Sequence, residues 1–234
     1  DFHYDFSQYE KDGSIPNVSD PRGQRLYYPR IDQREFLKIP SSPIAYWASE
    51  RVVEVFNYYT LLGEYGKVRE GIHTGKNKLF LRNWQEVDIK KFSVEEVSYD
   101  SIEENGVKWI PYLKGGKYKK WYGNNDFVIR FDKDSRREMS SLSGHVRPSE
   151  DLYFEEGVTW SRISSESKIG ARYTPPGFLF SDAGMMVFSD SDEYVCGVMS
   201  SKVSEYLLKM KSPTINTYSG DISDIPVYLG EGKE

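Results

Sequence analysis

The residues best suited to chemistry lie between Val107 and Gly123, where lysines alternate with aromatic side chains. The segment reads VKWIPYLKGGKYKKWYG and contains five lysines and no acid. Lysine ammonium groups bind phosphates, and aromatic rings stack on nucleobases, so the pattern favours a nucleic-acid ligand. Gly115 and Gly116 separate two strand-like halves and predict a tight hairpin turn, because glycine adopts positive φ freely.

Positive charge is concentrated in three segments of an acidic chain. The 234 residues carry a net charge of −5, yet Tyr65–Arg82 carries +4, Val107–Asn124 carries +5 and Val158–Gly177 carries +2. An acidic total argues against a generic DNA-binding protein. The segregation instead predicts one basic face with acidic flanks elsewhere.

Side chains in the basic segments are the candidates for contact with DNA. Bidentate recognition of base edges in the major groove uses Arg for guanine and Asn or Gln for adenine. The candidates for base contacts in the basic segments are therefore Asn77, Arg82, Asn124, Arg162 and Arg172. The cations assigned to phosphates are Lys114, Lys117, Lys119 and Lys120. Lys76, Tyr122 and Ser164 complete the predicted site. Two alternatives remain open: Asn77 and Asn124 could be turn residues, and Trp121 and Tyr122 could pack the hairpin rather than stack on bases.

Other chemistry receives little support from the sequence. The Pro-Pro pair of the chain, Pro175-Pro176, follows Thr174 and precedes Gly177, so it is not the amino-acceptor motif of a methyltransferase. No Walker loop is present, and the three histidines are scattered. Asp88 and Lys90 form an acid-x-Lys pair of the kind that metal-dependent nucleases place on a strand, with Asp126, Asp132 and Asp134 as further carboxylates. A nuclease site there remains an alternative.

The hydrophobic patterns predict an α+β fold: a single domain of many short, mostly antiparallel strands with two main helices. Residues Glu50 to Leu62 and Ser200 to Lys211 have helical spacing, and Gly63 is a plausible helix end. Lys78 to Val87 is predicted to be a strand, and the acidic run Asp100–Gly106 a loop. We expect Trp84, Trp109 and Trp160 in the core. Residues 1–45 are interpreted as an extended lead-in or linker, and residues 46–234 as the folded domain. With one cysteine and no long apolar run, the chain is expected in the cytoplasm and not in a membrane.

Five segments in fixed order resemble a known family. They are GIHTGKNKLFLRNWQEV, KWIPYLKGGKYKKWYGN, GVTWSRISS, ARYTPPGFLFSDAG, and the helix after Ser201 followed by SPTINTYSGDISDIPV. Together with IPSSPIAYW, they are similar to the C-terminal half of the large adenine-specific DNA methyltransferases of BREX phage-exclusion systems, the PglX family. The resemblance covers roughly Pro40 to Val227.

The resemblance implies that this chain is the target recognition domain of such a methyltransferase. The catalytic domain, with its S-adenosylmethionine site, would lie upstream and is not in this chain, which starts without Met. The fragment itself would then not be an enzyme and would hold no cofactor or metal. Its partners would be duplex DNA, the covalently attached methyltransferase domain and other phage-exclusion proteins. Its role would be to direct N6-adenine methylation in phage defence. A protein-interaction module of a defence complex is the remaining alternative.

Overall fold

The computed structural model describes residues 2–4, 27–29, 33–45, 48–94, 97–163, 168–212 and 214–230. The chain divides into two compact units, Asp1–Thr60 with Tyr228–Glu234, and Leu61–Val227. The first unit contains an antiparallel pair, β1 (Phe2–Tyr4) and β2 (Tyr27–Pro29), a 3-10 helix (Gln33–Lys38) and α1 (Glu50–Tyr58). The functional boundary predicted at residue 46 stays a prediction.

The remaining elements are short. The strands are β3 (Thr60–Leu61), β4 (Lys67–Arg69), β5 (His73–Thr74), β6 (Leu81–Asn83), β7 (Trp109–Leu113), β8 (Phe127–Arg130), β9 (His145–Val146), β10 (Gly157–Ser161), β11 (Arg172–Thr174), β12 (Leu179–Phe180), β13 (Gly184–Phe188) and β14 (Pro226–Val227). The α-helices are α2 (Leu62–Tyr65), α3 (Asn77–Phe80), α4 (Tyr99–Glu104), α5 (Lys133–Ser140), α6 (Asp192–Met199), α7 (Lys202–Lys211) and α8 (Ser219–Ser223). Single 3-10 turns span Trp84–Glu86, Ile89–Lys91 and Glu150–Leu152.

Two four-stranded sheets organise the second unit. One has the order β11-β10-β13-β4 with antiparallel neighbours, and the other has the order β12-β7-β8-β6, in which only β12 and β7 are parallel. These helices and mostly antiparallel strands confirm the predicted α+β class. The two longest helices among the described residues are α1 and α7, where the sequence predicted the main helices.

Strand β13 is buried along its whole length because it separates two hydrophobic cores. Met186 and Phe188 pack in the core around β7, β8 and β12, whereas Met185 and Val187 pack in the core under α6 to α8. Successive side chains of a strand point to opposite faces, so one strand can serve both cores. This explains why the segment is continuously apolar rather than alternating.

The predicted hairpin at Gly115-Gly116 is wrong. β7 pairs antiparallel with β8, which begins at Phe127, and residues 114–126 form a long connection between them. We call residues 114–126 the lysine loop.

Three further expectations differ from the structure. The predicted strand from Lys78 to Val87 is instead α3, β6 and a 3-10 turn. The acidic segment after Tyr99, expected to be a loop, forms α4 because the Ser98 hydroxyl accepts a hydrogen bond from Ser101 N and caps the helix. α1 ends at Tyr58, and Gly63 lies inside α2.

Candidate nucleic-acid interface

The lysine loop is attached to the edge strand β11. Trp121 N donates a hydrogen bond to Ala171 O at 2.8 Å, and Tyr173 N donates one to Trp121 O at 2.9 Å. Both backbone groups of Trp121 therefore satisfy groups on the β11 edge. The second half of the loop pairs with β11 instead of folding back on β7, which is why the short hairpin does not form.

Two glycines allow this close approach of backbones. A Cβ at Gly115, whose φ is 73°, would lie 2.5 Å from Ala183 O. A Cβ at Gly170 would lie 2.5 Å from Lys119 O, again a backbone atom that cannot move independently. Only glycine fits at either position without a shift of the loop. No feature of the glycine spacing pointed to Gly170.

Asn124 holds the loop from inside. Its side chain is buried, and its Nδ2 donates a hydrogen bond to Lys117 O at 2.8 Å. Its φ of 63° is a left-handed conformation that asparagine tolerates better than most residues. Asn124 is therefore a turn residue, which was the alternative that the sequence left open. Because its side chain is buried, it does not lie on the surface where it could contact a base edge.

Lys120 also has a structural contact. Its Nζ donates a hydrogen bond to Ser200 O at 2.5 Å, and Ser200 is the residue that ends α6. A cation at a helix C-terminus is stabilised by the unpaired carbonyls and the helix dipole. Lys120, predicted to bind phosphate, thus ties the loop to α6.

The remaining cations of the loop are available. Lys117 and Lys119 are exposed and Lys114 is half-buried. None of the three takes part in an ion pair among the residues that the structure describes. Uncompensated ammonium groups on a fixed loop give a local positive potential suited to an anionic ligand.

Trp121 and Tyr122 are displayed on the same loop. They are 58% and 60% exposed, so neither packs as the hairpin alternative proposed. Trp121 has a φ of 75°, which costs a non-glycine residue about 1–2 kcal/mol. Sequence reasoning left open whether Trp121 packs or stacks, because nothing in its neighbours signals this backbone conformation.

Arg162 lies beside the start of the lysine loop. Its backbone N donates to Ala183 O, the same carbonyl against which Gly115 packs. Its Nη1 donates to Asp182 Oδ2 at 2.7 Å, and the side chain remains 29% exposed. Asp182, which fixes the orientation of the guanidinium, was missed by sequence reasoning because it is twenty residues away in the chain.

Arg172 is in a different environment from the one that a DNA contact requires. The residue is 1% exposed, its Nη1 donates to Gly170 O at 2.6 Å and its Nη2 donates to Ser161 Oγ at 3.3 Å. Burial lowers the pKa of the guanidinium to about 10. Because Gly170 contacts Lys119, Arg172 supports the lysine loop from behind instead of reaching a base.

The other predicted residues belong to a separate part of the fold. Lys76, Asn77 and Arg82 are exposed around α3 and the edge strand β6. Asn77 Oδ1 accepts a hydrogen bond from Thr74 Oγ1 at 2.6 Å, and Arg82 Nη1 donates to the carbonyls of Lys78 and Leu81. Ser164 lies outside the described residues.

The structure therefore joins two of the three basic segments. Val107–Asn124 meets Val158–Gly177 where the lysine loop docks on β11. The third basic segment, Tyr65–Arg82, is not part of this contact. Its strand β4 lies at the opposite edge of the sheet from β11, and its strand β6 lies in the other sheet.

Among the predicted core tryptophans, Trp160 is 1% exposed, Trp109 is half-buried and Trp84 is 46% exposed. The core prediction is confirmed for Trp160 and wrong for Trp84, which follows β6 on a surface 3-10 turn.

The acid-x-Lys pair does not lie on a strand. Asp88 Oδ1 accepts a hydrogen bond from Lys90 N at 3.0 Å and caps the 3-10 turn Ile89–Lys91. Across the described ranges, no group of three or more His, Cys, Asp or Glu side chains is placed to hold a metal ion. Over the same residues, no helix is both long and apolar enough to cross a bilayer.

Comparison with known proteins gives two close matches. The chain is 33% identical to the adenine-specific methyltransferase PglX of Lacticaseibacillus casei (strain Zhang), over 96% of this chain and 19% of that protein. It is 35% identical to the adenine-specific methyltransferase BrxX of Escherichia coli O9:H4 (strain HS), over 83% of this chain and 16% of that protein. No protein-family model matches. Over most of its length, the chain is therefore a relative of one segment of the PglX and BrxX adenine-specific methyltransferases, as the five segments predicted.

Proposed function

We propose that this chain recognises duplex DNA for an adenine-specific methyltransferase. The observation that carries the proposal is the lysine loop, which is pinned to β11 and displays Lys117 and Lys119 without ion-pair partners among the described residues. Kinship to adenine-specific methyltransferases supports the choice of DNA as the ligand.

Each displayed side chain has a separate role in this proposal. Lys117, Lys119 and Lys114 neutralise phosphates, which provides affinity but no sequence information. Arg162, held by Asp182, presents its remaining donors to a guanine in the major groove. Because the loop is fixed before binding, little conformational entropy is lost on association.

Methyl transfer belongs to the rest of the protein in this proposal. The chain spans 16–19% of the length of the curated relatives that it matches, so recognition and catalysis would be divided between segments. S-adenosylmethionine would bind the attached catalytic domain, and the chain described here would make no covalent step. The methyl mark would distinguish self DNA from phage DNA in the cytoplasm, with other phage-exclusion proteins as further partners.

A salt titration of DNA binding tests the proposal. The 234-residue chain is titrated with 30-base-pair duplexes of random sequence at several salt concentrations. We expect the affinity to fall steeply with salt, and the log–log slope to decrease by about 2 when both Lys117 and Lys119 are replaced by Gln, because each lost phosphate contact removes about 0.9 from the slope.

The matched control is Lys209→Gln, a lysine on α7 that is paired with Glu205 at 2.9 Å. It should keep the slope of the unmodified chain. A double variant with an unchanged slope, or an unmodified chain that binds no duplex, would overturn the proposed function.

A further inference from the structure

Trp121 combines two properties that do not help the fold. Its indole is more than half exposed, so only part of its apolar surface is buried. Its φ of 75° is a conformation that glycine adopts freely and a bulky residue does not. Strained backbone that the surrounding structure holds in place is found most often at functional sites.

The surrounding structure does hold Trp121 in place. The hydrogen bonds from Trp121 N to Ala171 O and from Tyr173 N to Trp121 O fix the residue on both sides. Gly170 leaves room for the backbone of Lys119, two residues before Trp121, and Gly123, two residues after it, has a φ of 119°. The ring is therefore presented at the surface by a backbone with little freedom.

The charges around Trp121 indicate what the ring contacts. Lys117 and Lys119, both exposed, precede it in the same loop, and Tyr122 is exposed beside it. Lysine is depleted at the cores of protein–protein interfaces, where large aromatics are common. Lysines next to an exposed ring instead match a single ligand that has both phosphates and flat apolar faces, a nucleotide chain.

We propose that Trp121 stacks on a nucleobase that has lost a stacking neighbour in the bound duplex. In intact duplex DNA the faces of each base are covered by the adjacent pairs. A tryptophan can reach a base face only where a step is opened, as it is by inserted apolar side chains or by extrusion of a base. This inference rests on the proposed function and adds a specific role for one residue.

The test compares two duplexes that differ in one position. One is a perfect 30-base-pair duplex, and the other carries a single bulged adenine, in which base faces are already accessible. The unmodified chain should bind the bulged duplex more tightly by about 5- to 150-fold, the range expected for one stacked base. Trp121→Ala should lose most of this preference, and Trp121→Phe should keep most of it.

Two controls separate stacking from misfolding and from general exposure. Trp121→Gly lacks the ring but relieves the strained φ, so it should unfold at a temperature no lower than Trp121→Ala and should bind as that variant does. Tyr206→Ala removes another exposed ring, 50% accessible on α7, and should keep the full preference.

The possible results are distinct. If the unmodified chain binds both duplexes equally, or if Trp121→Ala keeps the preference, the stacking role is overturned while DNA recognition stands. If the unmodified chain binds neither duplex, the proposed function and the stacking role fall together.

Discussion

Arg162 and Asp182 form the pair of side chains to which the proposed function assigns a sequence preference. The Arg162 guanidinium donates to Asp182 Oδ2 and the side chain is 29% exposed, so the same planar group has further donors for a ligand. Asp182 lies on a turn held by the Ser181 hydroxyl, which accepts hydrogen bonds from the backbone N of Ala183 and Gly184. A fixed fork is the geometry that bidentate recognition of guanine requires.

We therefore expect Arg162→Lys and Asp182→Asn to alter the same position of the recognised sequence. Selection from a library of randomised duplexes should show guanine preference at one position for the unmodified chain. Arg162→Lys, which keeps the charge but not the fork, should reduce that preference by about 5- to 150-fold, equivalent to about 1–3 kcal/mol. Asp182→Asn should reduce it less.

Lys209→Gln serves as the control in this selection and should leave every position unchanged. An Arg162→Lys variant that selects the same sequence with the same stringency would contradict the assigned role of Arg162.

At the scale of elements, the contact between the lysine loop and β11 determines what the loop can present. Gly170 is the tightest point of this contact, since a Cβ there would lie 2.5 Å from Lys119 O and 3.1 Å from Lys119 N. Arg172 reinforces the same place through its hydrogen bond to Gly170 O. A side chain at residue 170 must therefore displace the loop backbone.

Gly170→Ala should lower the free energy of unfolding by about 1–3 kcal/mol, the usual cost of overpacking. It should also weaken duplex binding, because Lys117, Lys119 and Trp121 move with the loop. Urea denaturation and a binding titration measure the two effects.

Gly197→Ala is the matched control for this prediction. Gly197 lies in α6, and a Cβ there would meet no atom within 4 Å, so alanine should raise stability by about 0.5–1 kcal/mol through its higher helix propensity. If Gly170→Ala and the unmodified chain have the same stability and the same DNA affinity, the contact between Gly170 and Lys119 does not position the loop.

At the scale of the whole molecule, several tyrosines make stability sensitive to alkaline pH. Burial raises the pKa of Tyr112 and Tyr153 well above 10 and raises that of Tyr99 to about 12. A hydrogen bond with Glu156 raises the pKa of Tyr173 to about 12. The folded state therefore holds these protons more tightly than the unfolded chain, whose tyrosines titrate near 10.

The stability that these groups contribute is complete below pH 10 and decreases as the pH rises above it. Burial of Arg172 acts in the opposite direction, because its lowered pKa lets the folded state release that proton first. With four tyrosines against one arginine, we expect the urea midpoint of unfolding to be lower at pH 11 than at pH 8.

Tyr112→Phe should make this decrease shallower. It also removes the 2.7 Å hydrogen bond from the buried Tyr112 hydroxyl to Ile72 O, at a cost of about 1–3 kcal/mol at pH 8. Equal midpoints at pH 8 and pH 11 in the unmodified chain would contradict the assignment.

Much of the fold follows from local patterns. The apolar runs that become β7, β8 and β13 and the periodic helix α7 were predictable, since continuous apolar runs and helical spacing reflect burial along one element. The lysine loop was not, because its path depends on the edge of β11, a strand that begins nearly fifty residues later. Helix α4 was not predicted, because its acidic composition favours a loop. The helix is stabilised by the hydrogen bond between the Ser98 hydroxyl and Ser101 N, which forms only in the folded chain.

The sequence by itself determined the kinship to PglX and BrxX, the α+β class and the residues in which positive charge is concentrated. These depend on residue type and order, which the chain carries directly. The tertiary structure alone decided what each cation does. Lys119 and Lys120 are neighbours, yet Lys119 is exposed while Lys120 is bound to Ser200, 80 residues away. Contacts over such separations arise only when the sheets pack, and they leave no local signal in the sequence.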